Sequence, residues 1–487
     1  MATLQQIHTA CEQGSLVGTV TDGVLNFFDI PYAQTGGRFR DAISPRKWEG
    51  TRDCTKRGPI FPQLPSRLDF VQGSYAADLE QSEDAFRLNI FSPSLETKLP
   101  VLFWIHGGGF MTGGGALKTY SGAALARSGR AVVVTINYRL GVLGNLYLPG
   151  IAEGNYSVRD LEAALFWVKR NIHHFGGDPE SIVVGGQSAG GWYTQLLIGM
   201  KSTSELIRGA VILSAPSIDA QTPEEAQSSA ELFCNLAGIS DPARELPVLP
   251  VDSLLLAQGK LLAAKASFGT IAVPAYPMQG GSVPPDLAEA ALRFAPRPLV
   301  IGWTRDEAGA FLASDPRMLK VSGDQVQAAF KEFFGVSGPI QYLRSLKKRL
   351  PGTPYTAIVG LVTEKYFKRG SIRAARMYSR GGGTPYTFQL DYASPMPNVG
   401  ACHCFDIPFW LGNFEDAKEG PMLAGLDGSE ANALSSLMQN YLLNFLHTGN
   451  PNSEELPIWS SSSDGAIQTI HFDRCISCSI EENTGSV

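Results

Sequence analysis

Between Leu99 and Ser214 the chain alternates short apolar runs with segments of helical periodicity, and this alternation restricts its fold more than any other feature. Residues 101–106, 131–137 and 181–185 are short, apolar and rich in β-branched side chains, so they predict strands. Ahead of the last of them, residues 157–174 place Val158, Leu161, Ala164, Leu165, Val168 and Ile172 at helical spacing, and Phe175-Gly176-Gly177-Asp178-Pro179 closes the unit as a turn. Parallel strands need such crossover helices, so the expected fold class is α/β with a central, mostly parallel, twisted sheet flanked by helices. Further strands are expected at 298–303 and 385–390, and an edge strand at 466–472. The stretches at about 217–298 and 316–380 read as mainly helical insertions that roof the sheet. At 487 residues the chain is long for one domain, yet no internal repeat or low-complexity tract divides it, and one domain over 1–487 is expected.

Gly186-Gln187-Ser188-Ala189-Gly190 follows the strand at 181–185 and precedes a helical stretch. A serine on so sharp a strand-to-helix turn is lifted into a cleft, and small neighbours are required because the turn presses the chain against the helix. Ser188 is therefore the candidate nucleophile. A second motif weighs against an idle serine: His106-Gly107-Gly108-Gly109-Phe110 ends an earlier predicted strand. Glycines there let peptide N–H groups converge on one point, as a developing oxyanion requires. Gly108, Gly109 and Ala189 are the expected donors, whereas Gly113-Gly114-Gly115 reads as a plain turn. No Gly-x-Gly-x-x-Gly opens a helix and no Lys-Ser/Thr follows these glycines, so no nucleotide is expected and the chemistry calls for no cofactor or metal.

A serine nucleophile needs a base, which after an elbow of this type lies later in the chain. His403, His447 and His471 qualify. His447 ends a predicted helix, where a cation suits the dipole, and His471 lies in a predicted strand. His403 follows Gly400-Ala401-Cys402 in a loop, the usual carrier of reactive side chains, and is the candidate base, expected within reach of Ser188. The orienting carboxylate should follow the strand at 298–303, where Thr304-Arg305-Asp306-Glu307 offers two. Asp306 and Glu307 are not separated by these arguments, since either could instead pair with Arg305.

The formal net charge of −6 has no basic stripe, so neither nucleic acid nor an anionic membrane surface is an expected partner. No stretch approaches the ~18 apolar residues of a membrane span, and Met1 to Gly14 lacks the features of a signal peptide. Seven scattered cysteines do not read as a disulfide framework and point to reduced thiols in a cytoplasm. Cys402-His403-Cys404 and Cys475-x-x-Cys478 match no familiar zinc spacing and read as ordinary packed thiols.

Taken together, the motifs closely resemble those of the type-B carboxylesterases, the cholinesterase-like group of the α/β-hydrolase fold. The likeness runs from about Gly14 to Trp459. It includes Phe28-Asp29-Ile30-Pro31-Tyr32-Ala33, Gly37-Arg38-Phe39, Ser82-Glu83-Asp84-Ala85-Phe86-Arg87-Leu88-Asn89, Trp104-Ile105-His106-Gly107-Gly108-Gly109-Phe110, Asn137-Tyr138-Arg139-Leu140-Gly141 and Phe175 to Gly191. The resemblance implies that Glu307, rather than Asp306, completes the triad, and that Arg38 pairs with Glu83. Three departures stand out. The cysteines that usually bracket the loop from Phe61 to Ala85 are both missing, which agrees with a reducing compartment, and that loop offers only Phe70 and Tyr75 where cholinesterases hold choline with Trp. Gln187 also stands where the family usually has Glu, removing a negative charge beside the nucleophile.

The expected activity is hydrolysis of an uncharged, fairly apolar, small-molecule carboxylic ester through an acyl-enzyme. Phe110, Trp192, Gln187 and Trp303, close in sequence to the catalytic elements, are expected to contribute to substrate binding. Acyl transfer or lactone processing by the same triad is an alternative. A binding protein that has lost catalysis is another, and the presence of all three triad residues counts against it.

Overall fold

The computed structural model describes residues 5–294, 296–349, 351–463 and 465–481. Its strands are β1 (Gln5–Cys11), β2 (Gly14–Thr21), β3 (Val24–Pro31), β4 (Thr51–Asp53), β5 (Arg87–Ser92), β6 (Leu99–Ile105), β7 (Val132–Ile136), β8 (Tyr147–Leu148), β9 (Ala152–Glu153), β10 (Gly177–Gln187), β11 (Gly209–Leu213), β12 (Leu299–Thr304), β13 (Pro385–Leu390), β14 (Ile467–Phe472) and β15 (Ser477–Glu481). Apart from the β8–β9 hairpin they form one 13-stranded sheet in the order β1-β2-β3-β5-β7-β6-β10-β11-β12-β13-β14-β15, with β4 beside β2. From β7 to β14 every pairing is parallel, while β1, β2, β3, β5 and β15 join antiparallel at the two flanks.

Side-chain alternation along the parallel strands divides the interior into two cores. Val101, Phe103, Ile105, Val132, Val134, Ile182, Val184, Ile212 and Ile301 face one side, where they meet the helices Tyr156–Asn171, Ala189–Ile198 and Arg369–Arg380. Leu102, Trp104, Val133, Val183, Val211, Val300 and Phe388 face the other, against the helix Gly428–Thr448 and the short helix Ile407–Leu411. A strand covered on both faces buries nearly every residue, and β7 does so at all its positions. This is why the sequence reads there as a continuous apolar run rather than an alternating one. The expected insertions are helical: Pro223–Ala237 and Val251–Lys265 pack together over one end of the sheet region, and Gly323–Phe334, Gly338–Lys348 and Pro354–Thr363 form a separate apolar cluster.

Two differences from the sequence reading concern the sheet. The N-terminal strands β1 to β5 extend the sheet beyond the sequence reading: in β1 and β2 period-two alternation over half-exposed segments is a weak signal, and β3 and β5, though mostly buried, lie outside the strand–helix alternation. The strand at 466–472 is not the edge: β15 pairs antiparallel with β14 and covers it. The ion pair implied by resemblance is present, with Arg38 Nε donating to Glu83 Oε2 at 2.8 Å. No single described helix is long and apolar enough to cross a membrane.

Candidate active site

β10 lies between β6 and β11 at the centre of the parallel region, so its C-terminal end opens where an α/β sheet carries its ligands. Ser188 follows immediately, with φ 57° and ψ −124°, a conformation that L-residues adopt only when their surroundings enforce it. Its N–H donates to Leu213 O at 2.8 Å and its carbonyl accepts from Trp192 N–H at 3.0 Å, which ties the turn to β11 on one side and to the next helix on the other. Side chains are excluded around it. A Cβ on Gly186 would lie 2.5 Å from the carbonyl carbon of Gly190, and one on Gly190 would lie 1.9 Å from Ile105 O.

After β6 the chain turns through Gly108 (φ 113°) and Gly109 (φ 61°), the left-handed region that favours glycine. Gly108 O accepts from Met111 N–H at 3.1 Å and from Thr112 N–H at 3.0 Å, so the loop is closed by its own carbonyls. The N–H groups of Gly108, Gly109 and Ala189 donate to no acceptor among the described residues. His106 anchors the start of this loop: its ring stacks on Tyr138 with centroids 4.3 Å apart, and burial lowers its pKa to about 4, so it is a neutral structural group.

Glu307 and His403 come together from loops after β12 and β13. Glu307 Oε1 accepts from Thr304 N–H at 2.8 Å, and Oε2 meets His403 Nδ1 at 2.5 Å, with both side chains wholly buried. The backbone reinforces the pair, since His403 N–H donates to Glu307 O at 3.2 Å. Asp306, the other carboxylate of the pair, turns away to Arg305 at 2.9 Å and to Arg349. It also accepts from Ala401 N–H at 3.1 Å and so holds the His403 loop against β12's end. The geometry therefore separates the two acids that the residues alone left open.

The imidazole does not hydrogen-bond to Ser188. Its Nε2 instead lies 3.2 Å from Gln187 Nε2, the side chain one position before the elbow. Gln187 is wholly buried, its Oε1 accepts from Cys404 Sγ–H at 3.4 Å, and it lies so close beneath Gly107 that a Cβ there would fall 2.7 Å from Oε1. The glutamine thus occupies the position beside the base where Ser188 was expected, while Ser188 borders an open cavity.

That cavity, of about 180 Å³, is walled by Leu64, Leu68, Gly108, Gly109, Phe110, Leu262, Ile271, Val273, Phe311 and Phe367. Of the residues expected to bind substrate, Phe110 borders it and the other three do not. Trp192 stands behind Phe110, edge-on at 5.5 Å, with its indole N–H donated to Ile218 O. Trp303 is held inside β12 by a hydrogen bond to Gln389 Oε1 at 2.8 Å, and Gln187 faces His403. Nearness in sequence does not place a side chain at the cavity, because strand residues such as Trp303 alternate between faces and Trp192 lies on the helix after the elbow, behind Phe110. Phe311 and Phe367 had given no local signal, yet their rings flank His403 at 5.2 and 4.8 Å. Phe367 sits on a π-turn, Glu364–Lys368, whose irregular backbone is steadied by Ser217: its N–H donates to Tyr366 O and its Oγ–H to Phe367 O.

A second Ser-His-Asp order exists elsewhere. His471 Nδ1 meets Asp391 Oδ2 at 2.5 Å and its Nε2 meets Ser479 Oγ at 2.7 Å. Ser479, however, sits in regular antiparallel pairing on β15 opposite Thr469, with neither a strained turn nor the glycine loop beside it. The trio cross-links the ends of β13, β14 and β15. A hydrogen-bonded order of residues is therefore not enough to mark a site, and the elbow and the unengaged amides at Ser188 are what distinguish it.

The chain is similar in sequence and in fold to several known hydrolases. The phenmedipham hydrolase of Pseudarthrobacter oxydans is 31% identical over 482 residues, covering 96% of each chain. The para-nitrobenzyl esterase of Bacillus subtilis is 32% identical over 479 residues, covering 95% of this chain and 94% of that one. Among solved structures, the carboxylesterase EST55 of Geobacillus stearothermophilus superposes with a TM-score of 0.85 at 30% identity, covering 98% of both chains. The sequence matches the carboxylesterase family over residues 4–484, and with the α/β-hydrolase sheet and these relatives the chain belongs to that family, as a carboxylesterase-type hydrolase.

Proposed function

We propose that the protein hydrolyses small-molecule carboxylic esters with an apolar acyl portion through an acyl-enzyme on Ser188. The observation that carries this reading is the strained serine beside three unengaged amides at the floor of an apolar cavity. Substrate entering the cavity brings its carbonyl oxygen to the N–H groups of Gly108, Gly109 and Ala189. Ser188 Oγ then replaces Gln187 at His403 Nε2, loses its proton there and bonds to the carbonyl carbon. The tetrahedral intermediate collapses as the imidazolium returns that proton to the alkoxide, which leaves as an alcohol. A water molecule, deprotonated by the same imidazole, adds to the acyl carbon, and the imidazolium then protonates Ser188 Oγ as its bond to that carbon breaks, releasing the carboxylic acid. Glu307 holds Nδ1–H throughout, so Nε2 is the basic nitrogen, and its charge stabilises the imidazolium.

No step in this scheme draws on a cofactor. All seven cysteines are free thiols, five of them buried, which supports a reducing compartment such as the cytoplasm. The test is a series of p-nitrophenyl esters of rising acyl length on wild type and on Ser188→Ala, alongside labelling with a fluorophosphonate probe. Short and medium chains should be turned over and the probe captured by wild type alone. Equal rates in the two proteins would assign the chemistry to another group.

A further inference from the structure

One charged side chain borders the cavity, and the scheme above gives it no task. Arg67 lies on the segment 64–68 that forms part of the wall. Its Nη1 donates to Ala272 O at 2.8 Å, and its guanidinium rests over the Phe311 ring, 5.2 Å from the centroid. A Cβ built on Gly109 would lie 3.1 Å from Nη2, so the cation is pressed against the loop that presents the amides. Phe311 in turn flanks His403. The cation therefore sits between the oxyanion loop and the aromatic wall of the base.

No acidic side chain borders the cavity, and no carboxylate pairs with Arg67 among the described residues. The side chain keeps accessible surface because it faces the open cavity. The surrounding protein nevertheless withholds enough water to push its pKa down to about 10, which leaves it charged at neutral pH. The guanidinium lacks a carboxylate partner, and among the described residues Nη1 alone of its N–H groups has a hydrogen-bond acceptor. An anion that entered the cavity would gain charge-assisted, bidentate hydrogen bonds from it. The contact with Phe311 and the hydrogen bond to Ala272 O hold the guanidinium at the cavity wall before a ligand arrives.

From this arrangement we infer that Arg67 determines specificity, selecting esters that carry a carboxylate a few bonds from the scissile carbonyl. The inference rests on the ester-hydrolase reading and narrows its substrate class. It departs from the expectation of an uncharged substrate, since the missing choline-binding Trp and the neutral Gln187 argue against a cationic substrate but not against an anionic one.

The experiment compares two isosteric pairs: 2- and 3-acetoxybenzoate against 2- and 3-acetoxybenzamide, with p-nitrophenyl acetate as a neutral reference. The readout is the ratio of kcat/KM for carboxylate over amide. For wild type we expect this ratio to exceed roughly tenfold in at least one pair, expressed mainly in KM, as for a hydrogen-bonded charge. It should fall to about one or below in Arg67→Met and lie between in Arg67→Lys, which keeps the charge without the fork. Benzoate should inhibit p-nitrophenyl acetate hydrolysis more strongly than benzamide in wild type, and not in the Met variant. A wild-type ratio near one, or a ratio that Arg67→Met leaves unchanged while both rates fall together, overturns the inference and leaves ester hydrolysis standing. Failure of wild type on p-nitrophenyl acetate and on both pairs would instead remove the hydrolase reading itself.

Discussion

Replacing Glu307 by Gln tests the proposed relay more sharply than deleting the nucleophile, because the structure dictates which way the new amide must face. Glu307 Oε1 accepts the Thr304 N–H at 2.8 Å, in a site with no exposure to water. In Glu307→Gln the amide oxygen must keep that bond, so its NH₂ group turns to His403 Nδ1, where the carboxylate oxygen stood at 2.5 Å. An NH₂ donor there requires Nδ1 to be an acceptor, which moves the imidazole proton to Nε2 and leaves no lone pair for Ser188. The reverse orientation restores the useful tautomer but sets NH₂ against the Thr304 N–H, leaving buried donors unsatisfied at a cost of about 1–3 kcal/mol. That penalty alone lowers the competent population roughly 5- to 150-fold. Loss of the charge that stabilises the imidazolium adds to it, and the equivalent change in a serine protease triad costs about 10⁴ in kcat. The expected fall in kcat is therefore about 10²–10⁴, with KM little changed, measured on a p-nitrophenyl ester with the thermal midpoint checked for retained folding. A variant within about threefold of wild type would refute the claim that the Glu307–His403 contact sets the tautomer.

Three further outcomes follow from the geometry. Gly108→Ala forces a side chain onto φ 113° with its Cβ 2.0 Å from Thr112 O, so the amide pair should swing out of line and kcat should fall about 10²–10³, with KM and far-UV circular dichroism nearly unchanged. Asp160→Asn leaves Arg139, buried and bonded to Asp160 through Nε at 2.8 Å and Nη2 at 2.6 Å, without its counterion, and urea unfolding should show a loss of about 3–5 kcal/mol. Asp406 is wholly buried with both carboxylate oxygens unpaired, and burial, then the Glu307 charge, pushes its pKa well above the ordinary 3.8. The folded state therefore holds a proton that the unfolded chain releases, so this group's contribution to stability is lost as pH rises above about 4. Asp406→Asn should match wild type in thermal midpoint near pH 4 and exceed it increasingly towards pH 8. A difference independent of pH would refute the protonated state.

The central strands and the elbow were legible because long apolar runs and obligatory glycines leave a mark on neighbouring residues. Pro385–Leu390 was read with the bounds it has in the structure, and the strand before Ser188 differs from its reading only at the ends. His403 could be found by elimination, since the competing histidines lay in regular elements, and the structure pairs it with Glu307. What the sequence withheld depends on contacts between distant segments. Gln187 gave no hint that it would occupy Nε2, because the cause lies 216 residues away at His403 and is completed by Cys404. Arg67 lies on an irregular segment and Phe367 on a π-turn within a helical run, and only the cavity brings them together. The flanking strands β1 and β2 leave a weaker mark because a strand with one wetted face lacks the apolar density of the core strands.

The cavity's walls and its reacting groups are carried by different parts of the chain. Ser188, Glu307 and His403 hang from the ends of β10, β12 and β13, whereas Leu64 to Leu68 and Gln258 to Val273 border the space without contributing to the relay. Those two segments thus form a part of the wall that holds no member of the proposed relay. Grafting a new 64–68 segment, or trimming the stretch after Lys265, would retune selectivity in a laboratory lineage while the sheet went on delivering the same attack.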